Sequence, residues 1–154
     1  MASTAVYPST PGTVTTGDHS ERVSFRRLLR AGPLAIVLAA AANALVYFVA
    51  AQLGAMSQDV LVPAMGQPVS LSPVIFNSVI GAVGGVIAFA VIARFARRPI
   101  RLFRIVAAIV LVLSFVTPFS IPDAPAAMRA VLLLMHVIVA AAVVGVLTTP
   151  AREQ

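Results

Sequence analysis

Few residues in this sequence carry groups that chemistry needs. Away from the ends of its long apolar runs the polar side chains that stand out are Asn43, Tyr47, Asn77, Ser78, Ser114 and His136, with Arg129 near the start of the last run. Tyr47 follows Asn43 by four residues and Arg129 precedes His136 by seven, so on a helix each pair shares a face. Asn43 and His136 fall at similar depth in their runs. A neutral imidazole offers one donor and one acceptor, and a carboxamide offers both. Packing the first run against the last would let the two satisfy each other, with Ser114 in reach. One reading of this set is interhelical glue, worth about 0.6 kcal/mol per bond in a membrane. The other is a ligand or proton site opening outward. His136 would form its floor, Tyr47 and Asn77 its wall, and Arg129 its mouth. Arg129 has two simpler fates: its stem lies along the helix while the guanidinium reaches headgroups, or it pairs with Asp123.

The missing types narrow the chemistry further. No Asp, Glu or Lys lies in any of the apolar runs, so only His136 could exchange a proton there. Ion-coupled exchangers usually rely on an intramembrane carboxylate. A bis-histidine haem needs two core histidines, and the second histidine of this chain is His19, near its start. Cysteine is absent, which removes thiolate metal sites, iron–sulfur clusters and thiol catalysis. Neither a glycine-rich phosphate loop nor a serine nucleophile elbow occurs. The expectation is a protein without catalytic residues, metal or cofactor, and not an enzyme.

Composition sets the environment in which these residues sit. Of 154 residues, 60% are hydrophobic and 10% charged, against about 45–50% and about 25% in ordinary globular domains. The mean hydropathy is +1.00. A soluble domain of this size leaves roughly a third of its unfolded-chain surface in water, and so few charges cannot wet that area. The balance argues against a soluble domain and a disordered chain, and for an integral membrane protein.

The apolar residues resolve into four runs, about 33–53, 73–93, 102–121 and 126–148. Each has roughly the 20 residues that carry a helix across a ~30 Å hydrocarbon core. A lipid-embedded backbone must satisfy its own hydrogen bonds, so runs of this length are helices. Transmembrane strands would alternate over about 10 residues, and these runs do not. The expected fold is therefore an all-α bundle of four transmembrane helices spanning 22–150. Residues 1–21, rich in Ser, Thr, Pro and Gly, are expected to be a disordered tail. A basic amphipathic stretch, Arg22 to Arg30, leads into the first span. That span starts too late and runs too long for a cleaved signal segment, although Ala50, Ala51 and Ala55 are of the size cleavage requires. Arg26-Arg27 has the look of a twin-arginine export signal, but that route carries folded soluble proteins.

Charge placement gives an orientation. Ten of the eleven arginines precede span one, lie between spans two and three, or follow span four, and the remaining one is Arg129. The positive-inside rule then expects both termini and the middle loop in the cytoplasm, with the arginines contacting anionic headgroups of the cell membrane. Basic charge with this distribution is a topology signal, and nucleic acid is not an expected partner. The connection 54–72 is the longest, and its apolar middle, Val60 to Met65, is expected to dip into the interface as a short re-entrant or interfacial turn. The connection 118–125 reads as a tight, proline-rich hairpin. In span two, Gly81 and Gly85 form a small-xxx-small pair that lets another helix approach closely. The partner would be another span or a second copy in a homo-oligomer.

A set of short motifs, taken in order, carries a resemblance: Ala42-Asn43-Ala44 in span one, the Arg97-Arg98-Pro99 turn, Leu113-Ser114-Phe115 with Pro118 in span three, and Met135-His136 in span four. The pattern resembles a domain-of-unknown-function family of small actinobacterial four-helix membrane proteins, over about residues 30–150. The resemblance implies four spans and draws attention to Asn43, Ser114 and His136, but it implies no catalytic role for them. In general form the chain is also similar to small redox-associated four-helix membrane proteins of the DoxX type, without a matching motif. The functional expectation is a structural or accessory membrane protein working through lipid or protein contacts. The alternative is a small transporter or ligand-binding protein using a polar pocket around Asn43 and His136.

Overall fold

A computed structural model describes residues 25–63 and 65–149. The expected tail, Arg22 and Arg152 lie outside the described residues. Among the described residues, four segments are long and apolar enough to cross a membrane. The first lies in α1 (Phe25–Gln52), the second is α2 (Leu71–Phe95), the third is α3 (Pro99–Ser114) continued by a single turn, α4 (Val116–Phe119), and the fourth is α5 (Ala126–Thr148). At 1.5 Å per residue all four exceed about 30 Å in length. The described part of the basic stretch is continuous with span one, because α1 runs without a break from Phe25. Pro33 lies inside α1 and lacks an N–H. It costs the helix one bond without ending it.

Span three is interrupted where its sequence requires it. Pro118 can offer no N–H to the carbonyl of Ser114, and its ring crowds that carbonyl. The α3 helix accordingly ends at Ser114, and the Phe115 N–H donates to the Val112 carbonyl at 3.2 Å before α4 begins. The Ser114 hydroxyl turns back onto the Leu111 carbonyl at 2.7 Å.

The four spans are not equivalent. α1 packs along both α2 and α5, whereas α3 touches α2 and α5 but not α1. The core is thus a three-helix unit with α3 laid against one side. Small residues explain how α1 fits: Gly32, Ala35, Ala39, Asn43 and Ala50 are all buried, at spacings that keep one stripe of the helix inward. Gly32 sits under Val86 of α2, 3.2 Å from where a Cβ would stand. The opposite faces of the spans are apolar and open: Val37 and Leu45 of α1 are each 65% exposed. An outer surface of this kind is stable only against lipid, which is the environment the composition demanded.

Two apolar clusters fill the interior. One, at the end where Arg30, Arg94, Arg97, Arg98, Arg101 and Arg104 gather, joins Ala39, Ala82, Phe89, Phe103, Val143 and Leu147. Phe89 and Phe103 meet there with ring centroids 4.9 Å apart and planes tilted by 60°, a favoured aromatic geometry. The other cluster, at the far end, joins Ala50, Met56, Val62, Val69, Val74, Ile121, Ala124, Met128 and Met135.

Part of that far cluster comes from the connection 54–72, which differs from the expected turn. Its middle is a small antiparallel hairpin, β1 (Leu61–Val62) and β2 (Gln67–Pro68), with Leu61 opposite Pro68 and Val62 opposite Gln67. The Val62 carbonyl accepts from the N–H groups of Met65 and Gly66, both at 2.9 Å, and Gly66 takes φ +63°, a conformation glycine adopts without steric cost. Because successive strand residues point to opposite faces, Val62 turns inward while Leu61 stays exposed. The hairpin therefore sits as a cap on the far end of the helices.

Candidate intramembrane site

The polar residues expected to form one cluster separate into three local arrangements. The first is a buried junction. Asn43 Nδ2 donates to Ser78 Oγ at 2.8 Å and to the Met135 carbonyl at 3.3 Å, and Ser78 in turn donates to the Val74 carbonyl at 2.7 Å. One carboxamide so links α1, α2 and α5. Its Oδ1 is buried without a partner. The partner of Asn43 is thus Ser78 and not His136. The reason is angular: successive residues of a helix point about 100° apart. With the Met135 carbonyl turned toward α1, the neighbouring His136 ring lies on another side of α5.

The second arrangement lies at the capped end. Tyr47 donates its hydroxyl to the Val69 carbonyl at 3.4 Å, tying α1 to the residue that follows β2. Arg129 reaches the Ile121 carbonyl at 3.5 Å through one terminal nitrogen, while its Nε is buried without a partner. Its observed hydrogen bond goes to this backbone carbonyl and not to Asp123, which holds a left-handed turn at φ 53°. Neither Tyr47 nor Arg129 lies on the cavity where His136 is found.

The third is that cavity, a cleft of about 410 Å³ between α2, α3 and α5. It exists because α3 stands off from the three-helix core, and because α2 presents Gly81, Gly84, Gly85 and Ala88 to it. Such a volume falls in the range of about 300–1,000 Å³ usual for small-molecule sites. Its wall is apolar except for Asn77, Ser78, Ser114 and His136. His136 Nδ1 lies 2.7 Å from the Leu132 carbonyl one turn earlier on α5. A carbonyl can only accept, so Nδ1 carries the proton of that bond, and in the neutral ring Nε2 is left as an acceptor.

Two pairs of hydrogen bonds place the polar wall residues at one depth. Asn43 reaches Ser78 and the Met135 carbonyl together, which levels their neighbours Asn77 and His136. Arg104 donates to Thr148 Oγ1 from Nε at 3.3 Å and from a terminal nitrogen at 3.0 Å, which sets the register of α3 against α5. Counting from that bond, Ser114 lies about 15 Å along α3 and His136 about 18 Å along α5. The cleft therefore has a polar end at Asn77, Ser114 and His136 and an apolar body that runs to Phe103 and Val144, toward the arginines.

The expected glycine pair has a definite partner. A Cβ on Gly85 would stand 2.8 Å from Val143 Cγ1, and one on Gly81 would stand 3.5 Å from Val139 Cγ1. Gly81 and Gly85 thus serve the α2–α5 contact inside the molecule. Sequence reasoning had noted Ser78 without giving it a role, and had missed the α1 stripe of Gly32, Ala35 and Ala39. The signal for that stripe was present in the spacing of small residues, but a run so rich in alanine hides it.

Four apolar spans, three forming a core and the fourth laid against it, define a multi-pass membrane protein in contact with the lipid bilayer. A family model described as a family of unknown function (DUF6069) matches residues 23–153. The chain belongs to that family, which upholds the resemblance read from its motifs. No curated protein and no solved structure matches it.

Proposed function

We propose that this chain is an accessory protein of the cell membrane that acts through contacts with lipid or a membrane partner and carries out no catalysis. In this reading both termini and the Arg94–Arg104 turn face the cytoplasm and hold anionic headgroups, as the positive-inside rule expects. The observation that carries it is the lateral cleft between α2, α3 and α5, a concave apolar surface in the part of the chain that meets lipid.

Site-specific photocrosslinking in native membranes tests this. A photoreactive residue at Ala107, on the cleft, is expected to give a discrete set of lipid or protein adducts. The same residue at Leu45, on the opposite exposed face, is expected to give only bulk lipid. Identical products at the two positions would remove the cleft as a contact site. Reporter fusions check the orientation: a C-terminal phosphatase fusion is expected to be inactive, and activity outside the cell would overturn it.

A second reading, a ligand-binding protein or small transporter, is favoured by one observation. Asn77, Ser114 and His136 share the polar end of the cleft. Asn43, sealed among α1, α2 and α5, positions that end and does not line it.

A further inference from the structure

The hydrogen-bonding state of the cleft points to the chemistry of what it holds. The Ser114 hydroxyl proton is committed to the Leu111 carbonyl, and the His136 Nδ1 proton to the Leu132 carbonyl. The bonding capacity left to these two cleft-lining residues is therefore lone pairs: those of the Ser114 oxygen and, in the neutral ring, of His136 Nε2. At the same end lies the Asn77 carboxamide, which can donate as well as accept. The rest of the wall is apolar, and the long axis runs about 12 Å along α5 from His136 to Val144. No water from the hydrocarbon core would satisfy those acceptors.

We infer that the cleft binds a lipid bearing a neutral hydroxyl on a long apolar chain. The hydroxyl donates to His136 Nε2 or Ser114 Oγ and accepts from Asn77, and the chain fills the space between α2, α3 and α5. Recognition is by the O–H proton: an ether of the same length can accept from Asn77 but leaves the His136 and Ser114 lone pairs without a donor. A carboxylate likewise has no proton to give those two lone pairs. This inference rests on the reading of the cleft as a contact site.

The test uses the full chain in phosphatidylcholine nanodiscs with three probes: hexadecanol, hexadecyl methyl ether and hexadecanoate, each carrying a photoreactive group on its chain. Hexadecanol is expected to label the cleft residues saturably and to outcompete the ether by about three- to ten-fold, the worth of one net hydrogen bond. In nitrogen-15 spectra, hexadecanol and not the ether is expected to move the His136 Nε2 resonance upfield. The pair His136→Leu and Ser114→Ala, which removes both acceptors, is expected to abolish the preference for alcohol over ether while both still bind. Should that variant misfold, Gly84→Leu serves instead. A Cβ at Gly84 meets nothing within 4 Å, so the added side chain grows into the cleft and is expected to block both probes. Equal saturable binding of alcohol and ether would overturn the hydroxyl inference and leave the cleft standing. Tighter binding of hexadecanoate would place a proton on Nε2 and overturn it too. Absence of saturable labelling by any probe would remove the cleft reading together with the inference.

Discussion

Asn43 on α1 and Ser78 on α2 are joined by a 2.8 Å hydrogen bond across 35 positions of sequence. The same amide also reaches the α5 backbone at Met135. In lipid, where apolar contacts are not driven together by water, such a bond gives three helices a common register. The junction also levels the polar end of the cleft on the other side of α5, so a residue with no direct place on the cleft governs its geometry.

The first prediction concerns this bond. Asn43→Ala and Ser78→Ala are each expected to destabilise the protein by about 1 kcal/mol, and their coupling energy in a double-mutant cycle is expected near 0.6 kcal/mol. Unfolding equilibria measured by steric trapping in bicelles supply the four corners of the cycle. A coupling of zero would mean that the two side chains stabilise the bundle independently.

The second contrasts two adjacent glycines of α2. Gly85→Ala places a Cβ 2.8 Å from Val143 Cγ1, and overpacking of this kind typically costs about 1–3 kcal/mol. Gly84→Ala meets open space and is expected to be neutral or to stabilise by up to about 1 kcal/mol through helix propensity. Adding Val143→Ala to Gly85→Ala should recover most of the loss. Thermal unfolding of the three variants in one detergent decides the matter, and equal effects at the two glycines would contradict the close α2–α5 approach.

The resolution between those glycines was only partly legible in sequence. The Gly81–Gly85 spacing announced a close contact, but periodicity does not say which helix supplies the other side. The spans themselves were legible because bilayer thickness dictates their length, and the arginine distribution was legible because charge cannot hide in lipid. The break at Phe115 was implicit in Pro118, which removes the Ser114 bond, yet a hydropathy reading runs straight through it. The hairpin at Leu61–Pro68 was read only as an apolar dip, since two-residue strands are too short for alternation to register. The expected Asn43–His136 pair had the depth right and the angle wrong. Depth follows from counting residues, whereas the rotation of α5 follows from its packing against α1 and cannot be counted.

The third prediction addresses how α3 is held. Its polar tie to α5 is the pair of bonds from Arg104 to Thr148 Oγ1. Thr148→Val keeps the shape and removes the acceptor. It is expected to cost about 1–2 kcal/mol at most, as a bond involving a charged group. It should also raise amide exchange in α3 several-fold with little change in α1 and α2. Hydrogen–deuterium exchange resolved by peptide reads this directly, and uniform exchange across all spans would show that α3 does not open as a separate unit.

The placement of α1 between α2 and α5 also bears on how the chain is made. Synthesis delivers α1, α2 and α3 to the membrane before α5 exists, yet α1 has no contact with α3. Until the final span arrives, the stripe of Gly32, Ala35 and Ala39 has one of its two neighbours, and Asn43 lacks the Met135 carbonyl. The three-helix core therefore closes only when α5 inserts. Before α5 is made, the Asn43 amide can reach Ser78 alone, and the small-residue stripe of α1 can pack on α2 alone.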